Sequence, residues 1–261
     1  LSPYWYEVNA QGEVSRATGA TDENLAEIRA LAQGAGVKVI PMIKNWADRD
    51  EMHSLLSNPS LRRQVIASIV EITVNRAFPG IHIDFEGING DDRPHLTAFM
   101  NELAAELRPR GKLVTQAVAA RDQERNDGWA GAYDYNALGA ANDLILLMAY
   151  GYGTGIPRST APFPWVDRST ALAVSQIPRE KLLLGIPWYG YEWVDGKVSR
   201  ALRYPQAVSL AQERGVGINY DTGVEGANFT FWEGGQKHEV WFEDRRSQEA
   251  KLDLVEKYGL A

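Results

Sequence analysis

Cysteine is absent from the 261-residue sequence. Its absence excludes disulfide bonds, cysteine-ligated zinc and a cysteine nucleophile. No apolar run approaches the roughly 20 residues that span a bilayer, which argues against a membrane protein. Basic residues are fewer than acidic ones, 27 against 34, and the resulting net charge of −7 argues against a nucleic-acid partner.

Common metal and nucleotide motifs are also lacking. The four histidines show no metal-binding spacing, and neither H-E-x-x-H, G-x-S-x-G nor a P-loop pattern occurs. The sequence therefore predicts no metal and no cofactor. It does contain 44% apolar and 23% charged residues, a balance typical of globular proteins.

Short apolar segments alternate with stretches of helical periodicity along the first three quarters of the chain. The predicted strands are residues 2–8, 37–43, 80–86, 113–119, 143–150 and 182–189. The predicted helices include residues 22–35, 58–77 and 93–107. Repeated βα units predict a parallel sheet covered by helices, and the length is close to the roughly 250 residues of a TIM-barrel-type α/β fold.

The alternation stops after Trp193. Residues 194–244 are rich in glycine, asparagine and aromatic residues, with a helical piece near 205–214. Segments 229–232 and 238–242 resemble a hairpin around Glu233-Gly234-Gly235. We therefore predict barrel βα units over 1–193, a small α+β insertion over 194–244 and the last barrel helix over 245–261, including a helix at 247–258.

The segment Gly80-Ile-His-Ile-Asp-Phe-Glu-Gly87 carries the clearest chemical signal. Alternate residues of a strand share a face, so His82, Asp84 and Glu86 point to the same side. Two carboxyls about 7 Å apart repel each other, which favours a proton on one of them and suits a general acid. The alternative is a pair of solvated acids at a strand end.

This strand resembles the D-x-x-D-x-D-x-E signature of glycoside hydrolase family 18, the chitinase-like enzymes. The segment FPGIHIDFEG is most similar to the bacterial spore-cortex and peptidoglycan N-acetylglucosaminidase branch. Further segments resemble that branch in the same order: GAYDYNALG (131–139), LMAY (147–150), PREKLLLGIPWYGYEW (178–193) and HEVWFEDRRSQEAKLDLVEKYGL (238–260). The resemblance covers nearly the whole chain.

The resemblance implies a hydrolase that cleaves N-acetylglucosamine-containing glycans with retention. It implies that Glu86 is the catalytic acid/base, that Asp84 orients the acetamido group of the sugar, and that Tyr150 donates a hydrogen bond to the acetamido carbonyl. The mechanism it implies is substrate-assisted, with the acetamido oxygen as the nucleophile. The glycan is expected to be peptidoglycan in preference to chitin, and the location extracellular, in the cell envelope or in the spore.

Two departures from the family pattern affect the expected site. The first two aspartates of the signature fall on Pro79 and His82, and His82 is expected either to hydrogen-bond Asp84 or to be buried for packing. Gly151 replaces the aspartate that usually follows the tyrosine of M-x-Y-D. A non-hydrolytic carbohydrate-binding protein therefore stays open, as does a two-carboxylate glycosidase in which Glu86 is paired with Glu192 or Asp244.

The sequence also predicts residues that contact the sugar. Aromatic faces stack on the apolar faces of sugar rings, and Trp188 and Tyr191 lie near the end of the last predicted strand. Tyr6 and Asn45 lie at the ends of the first two. Together with His82, these residues form the predicted substrate-binding set.

Compared with relatives, the six strands correspond to strands two to seven of eight. We expect the first and eighth strands to be missing from residues 1–261, so that either the native polypeptide is longer or the barrel is open. Unpaired strand edges favour self-association.

Overall fold

The computed structural model describes residues 1–261. The strands are β1 (Tyr4–Val8), β2 (Val14–Arg16), β3 (Met42–Asn45), β4 (Gly80–Asp84), β5 (Leu113–Ala119), β6 (Leu144–Met148), β7 (Leu182–Leu184), β8 (Tyr189–Val194), β9 (Lys197–Arg203), β10 (Asn219–Asp221), β11 (Gly226–Glu233) and β12 (Gln236–Phe242). The helices are α1 (Asp22–Gly34), α2 (Arg49–Ser57), α3 (Pro59–Asn75), α4 (Arg93–Leu107), α5 (Gly128–Gly131), α6 (Tyr135–Ala141), α7 (Phe163–Val174), α8 (Tyr204–Glu213) and α9 (Arg245–Tyr258). No helix has both the length and the apolar character that crossing a membrane requires.

The first sheet contains a strand at each of the six predicted places, but two bounds were wrong. β3 is Met42–Asn45 and not 37–43, and β7 ends at Leu184, whereas Tyr189 of the predicted strand 182–189 begins β8 in the other sheet. The order of the first sheet is β2-β1-β3-β4-β5-β6-β7, and β1, β3, β4 and β5 pair with one another in parallel. The sequence did not predict β2, which pairs antiparallel with β1, because three residues are too few to show a period of two. The predicted absence of a first and an eighth family strand, and self-association through sheet edges, remain predictions.

Residue alternation separates the two faces of β4, in which every residue is buried. Ile81 and Ile83 point to one side and have no exposed surface. His82 and Asp84 point to the other side, since successive side chains alternate across a strand. Buried apolar residues of the flanking helices, such as Val65 of α3, complete the core of this region.

Local capping fixes where the helices begin. Asn58 accepts hydrogen bonds from the backbone N–H groups of Ser60 and Leu61, and Pro59 occupies the first turn of α3, where it loses no hydrogen bond. The predicted helices at 22–35, 58–77 and 93–107 are confirmed within a few residues at each end. The sequence did not predict α2, whose start is a capping box of Asp48 and Glu51.

The second sheet is antiparallel and has the order β10-β11-β12-β8-β9. Its core consists of buried apolar side chains from the sheet and from α8, among them Phe229, Phe242 and Leu210. The predicted hairpin and the helical piece near 205–214 are both confirmed. The sheet includes Tyr189–Val194, so it begins before the predicted boundary at residue 194.

The chain divides into two compact units. The first consists of Leu1–Ala119, Glu124–Leu146 and Gln176–Leu182, and the second of Ala120–Gln123, Leu147–Ser175 and Leu183–Ala261. The predicted division at 193/194 and 244/245 stays a prediction. The sequence identifies residues 194–244 by their glycine-rich composition. In the structure these residues belong to the same compact unit as residues 147–175.

The hairpin between β11 and β12 allows a stability test. Gly234 and Gly235 form the two-residue loop between the paired residues Glu233 and Gln236, and their φ values are 57° and 82°. Side chains other than glycine are strained there, so Gly235→Ala is expected to lower the free energy of unfolding by about 1–2 kcal/mol. Urea unfolding measures the change. Gly217→Ala is the control, because Gly217 has an ordinary φ and no neighbour that a methyl group would meet; equal losses in the two variants would contradict the argument.

Candidate active site

Glu86 lies two residues beyond the end of β4. Phe85 before it is fully buried, while the Glu86 side chain is 37% exposed. Gly87 after it has a φ of 68°, so the chain turns immediately after this acid. Glu86 is thus a carboxylate within reach of a ligand at the end of a buried strand.

Asn45 fixes the backbone of Glu86. The Glu86 N–H donates to Asn45 Oδ1 at 2.8 Å, and Asn45 Nδ2 donates to the Glu86 carbonyl oxygen at 2.9 Å. Asn45 ends β3, the neighbour of β4 in the sheet. The predicted cleft residue Asn45 is therefore next to Glu86 and orients it through the main chain.

Asp84, the last residue of β4, is 5% exposed. Burial raises the pKa of its carboxyl, the nearby charge of Glu86 raises it further, and Lys44 opposes both effects. Asp84 Oδ2 lies 3.4 Å from Lys44 Nζ, and Oδ1 has no hydrogen-bond partner. Asp84 is thus a buried acid that accepts a proton more readily than a solvated aspartate.

Lys44 was not among the predicted site residues. Its Nζ lies 2.7 Å from Glu86 Oε1, and its backbone pairs with that of Asp84 across β3 and β4. Burial lowers the pKa of Lys44, but the hydrogen bond to Glu86 and the two carboxylate charges outweigh burial and raise it. The signal in the sequence was a lysine one residue before Asn45, directly after the apolar run of residues 39–43.

His82 hydrogen-bonds Thr115, not Asp84. His82 Nδ1 is 2.8 Å from Thr115 Oγ1, and that hydroxyl donates to the Ile81 carbonyl oxygen. Thr115 therefore accepts from Nδ1–H, which leaves Nε2 as an acceptor without a partner. Burial lowers the pKa of His82 to about 4, so the ring is neutral near pH 7. The expected bond to Asp84 is corrected because Thr115 is the register partner of His82 on β5.

Tyr6 lies away from this site. It is 2% exposed, and its ring packs edge-on against Phe78 at 6.4 Å. Its register partner is Ile43, whereas Glu7 pairs with Lys44, so Tyr6 points to the face opposite Lys44. The interpretation of Tyr6 as a cleft residue is corrected: a bulge between residues 4 and 6 changes the register.

Two other aromatic residues are exposed near Lys44 instead. Tyr4 is 41% and Trp46 69% exposed, and Trp46 Nε1 donates to the Tyr4 hydroxyl at 2.9 Å. The Tyr4 hydroxyl in turn donates to Glu7 Oε1 at 2.8 Å. Their faces suit stacking on a sugar ring.

Tyr133 is a second residue that the sequence did not predict at the site. Its hydroxyl donates to the Phe85 carbonyl oxygen at 2.7 Å and accepts from Trp129 Nε1 at 2.9 Å. Burial raises the pKa of Tyr133 well above its ordinary value, so it remains a donor. This bond fixes the backbone between Asp84 and Glu86.

The remaining predicted residues belong to the second compact unit. Tyr150 and Tyr191 both contact the ring of Tyr189, at centroid distances of 6.4 and 5.5 Å. Trp188 is 73% exposed. Gly151 has a φ of 71°, a conformation that glycine adopts without strain.

Glu192 and Asp244, the alternative partners of Glu86, are already engaged. Glu192 is 3% exposed and bonds His238 through Oε1 and Arg200 through Oε2. Asp244 caps α9 and bonds Arg246. Both carboxylates already stabilise other residues, which disfavours the two-carboxylate hypothesis with these residues.

Removing the Asn45 side chain tests the role of its two hydrogen bonds to the main chain of Glu86. Asn45→Ala is expected to lower kcat on N-acetylglucosamine oligomers by about 10- to 100-fold, because small displacements of a catalytic group are costly. Steady-state kinetics beside circular dichroism measures the effect. Asn24→Ala, at an exposed position of α1, is the control; full activity of Asn45→Ala would contradict a role for these two hydrogen bonds.

A parallel sheet with helices, and a carboxyl pair at a strand end, are features expected of an α/β glycosidase. Residues 5–261 match the family described as Glycosyl hydrolases family 18, and the chain belongs to this family. The predicted α/β fold class of TIM-barrel type agrees with this membership.

Individual relatives show the same likeness. YdhD of Bacillus subtilis (strain 168) is 32% identical over 216 residues, which cover 80% of this chain and 51% of YdhD. Its crystal structure matches with a TM-score of 0.91, 28% identity and coverage of 99% of this chain and 87% of that one. The cortical fragment-lytic enzyme of the same bacterium is 30% identical over 247 residues, or 91% of this chain and 57% of the enzyme.

A crystal structure of a chitinase from Chromobacterium violaceum ATCC 12472 also matches. Its TM-score is 0.88 at 28% identity, and the match covers 99% of this chain and 83% of that chain. The chain spans about half of the length of the first curated relatives it matches.

Proposed function

We propose that the protein is a retaining glycoside hydrolase that cleaves N-acetylglucosamine-containing glycans by substrate-assisted catalysis, with Glu86 as acid/base. The observation that carries this proposal is the difference between the two carboxyls at the end of β4: the Glu86 side chain is partly exposed, whereas Asp84 is buried. One exposed acid can protonate a leaving oxygen, but a buried neighbour is poorly placed to attack a sugar carbon. The nucleophile is then supplied by the substrate.

In this mechanism Glu86 protonates the glycosidic oxygen while the acetamido oxygen attacks the anomeric carbon. The leaving sugar departs with that proton, and a cyclic oxazolinium ion remains. Glu86 then takes a proton from water, which opens the ring with retention. Family members of this kind are exceptions to the two-carboxylate scheme, and Asp84 is proposed to stabilise the charge that develops on the amide.

The role of Tyr150 as a donor to the acetamido carbonyl rests on the family resemblance. Trp188 and Tyr191 are proposed to contact sugar rings. His82 is proposed to act on the substrate only indirectly, since it is buried and hydrogen-bonds Thr115.

The preferred glycan is proposed to be peptidoglycan, which would place the protein outside the cell, in the envelope or in the spore. The cortical fragment-lytic relative supports this proposal, whereas the chitinase structure keeps chitin as the competing substrate. A non-hydrolytic carbohydrate-binding protein is the second candidate, because Gly151 lacks the side chain that the family usually has at this position.

Product analysis on peptidoglycan, chitin oligomers and fully deacetylated chitin oligomers separates these functions. The expected result is cleavage of both acetylated glycans, faster for peptidoglycan, and no cleavage of the deacetylated ones. Binding without turnover would support the second candidate. Equal cleavage of deacetylated oligomers would exclude acetamido participation.

A further inference from the structure

Lys44 contacts both carboxyls of the candidate active site. We propose that Lys44 is a positioning residue that sets the charge of the Asp84–Glu86 pair and thereby the pH range in which the enzyme cleaves its glycan. The proposal rests on the proposed function of Glu86, and one of its tests is independent of activity.

Lys44 is the positively charged group that contacts both Asp84 and Glu86. Its Nζ is 2.7 Å from Glu86 Oε1 and 3.4 Å from Asp84 Oδ2, and its side chain is 33% exposed. From β1, Glu7 and Tyr4 face the same group: Glu7 is its register partner, and Tyr4 interacts with its charge. Glu7 accepts the Tyr4 hydroxyl, and the ion pairs of Lys44 are with Asp84 and Glu86.

The three charges are coupled. Two carboxylates two residues apart on one strand repel each other, and burial of Asp84 adds to the cost of ionising both. An ammonium in contact with both offsets these costs, and it lowers the pKa of the buried Asp84 carboxyl against the effects of burial and of Glu86. Such a cluster titrates as a unit.

Lys44 affects the two steps of the reaction, cleavage of the glycosidic bond and opening of the intermediate by water, in opposite directions. Protonation of the leaving oxygen needs one proton on the pair, which Lys44 opposes. The later step needs a carboxylate that takes a proton from water, which Lys44 favours. Cleavage of the glycosidic bond is therefore limited to lower pH, most strongly for sugar leaving groups, because aryl leaving groups need less protonation.

The first test compares pH profiles of kcat/KM for wild type, Lys44→Met and Lys44→Arg on a chitin oligomer. The basic limb is expected to move up by about one pH unit in Lys44→Met and to stay near the wild-type position in Lys44→Arg. On an aryl N-acetylglucosaminide, the difference in kcat/KM between wild type and Lys44→Met at pH values above the basic limb is expected to be smaller. Lys38→Met, on an exposed lysine without an ion pair, is the control.

An unmoved basic limb in Lys44→Met would overturn the proposal, and so would an equal shift in Lys44→Arg. The second test needs no turnover: carboxyl ¹³C NMR follows proton uptake by Asp84 and Glu86 in wild type and Lys44→Met. The carboxyl pair of Lys44→Met is expected to take up a proton at a higher pH than that of wild type. Unchanged uptake would overturn the proposal even in an inactive protein, whereas absent turnover with shifted uptake would contradict only the proposed function.

Discussion

Glu86→Gln is expected to lower kcat on N-acetylglucosamine oligomers by about 10²–10⁴-fold, the usual contribution of general acid–base catalysis. Glutamine keeps the size of the side chain but cannot transfer the proton to the leaving oxygen. The backbone contacts with Asn45 do not involve the carboxyl group, so the fold should be preserved. Initial rates give the kcat of the variant, and calorimetry measures its affinity for the glycan separately.

Glu7→Gln is the matched control for this variant. Glu7 is the other glutamate beside Lys44, and its carboxylate accepts the Tyr4 hydroxyl. The proposed mechanism gives it no part, so its activity is expected to stay within a few-fold of wild type. Loss of activity in Glu7→Gln equal to that in Glu86→Gln would identify a second essential carboxylate and contradict a nucleophile from the substrate.

Lys251→Met is expected to be the most destabilising substitution outside the site. Lys251 and Glu243 form an ion pair of 2.7 Å, and both side chains are 1% exposed. Removing the cation leaves Glu243 buried and unpaired, and such changes cost about 3–5 kcal/mol. Urea unfolding at neutral pH measures the loss.

The loss should depend on pH. Burial raises the pKa of Glu243 in the folded protein even with Lys251 present. A carboxyl with a raised folded pKa favours the folded state below the ordinary pKa and loses that contribution as the pH rises through the folded value. The penalty of Lys251→Met is therefore expected to grow from about pH 4 to pH 7.

The double variant Glu243→Leu/Lys251→Met removes both charges. Its stability is expected to lie within about 1 kcal/mol of wild type, or above it, because apolar replacements of a buried ion pair are often neutral or stabilising. A double variant as unstable as Lys251→Met would show that packing, and not the unpaired charge, causes the loss.

The alternation of residues 80–86 was sufficient to predict the central strand and its polar face. Strand periodicity is local, so His82, Asp84 and Glu86 could be assigned to one side without knowing the neighbouring strands. Asn45 was predicted from its place at a strand end, and the hairpin from Glu233-Gly234-Gly235. The structure contains this strand and this hairpin and places Asn45 beside Glu86; contact of Asn45 with the substrate stays a prediction.

Lys44 and Tyr6 show where that reasoning failed. The register between neighbouring strands decides which side chains meet, and it depends on long-range pairing. The expectation that Tyr6 lies in the cleft rests on its place near a strand end, but the bulge in β1 directs it toward Phe78. Lys44 could be identified as a site residue only from the pairing of β3 with β4, which places it opposite Asp84.

The measurement that tests the central claim most directly compares aryl glycosides with 2-acetamido and 2-trifluoroacetamido groups. Fluorine withdraws electrons from the amide and weakens its oxygen as a nucleophile, while the leaving group stays the same. Acetamido participation predicts a fall in kcat/KM of more than about tenfold, or about 1.4 kcal/mol. Equal values for the two substrates would contradict it and require a nucleophile from the protein.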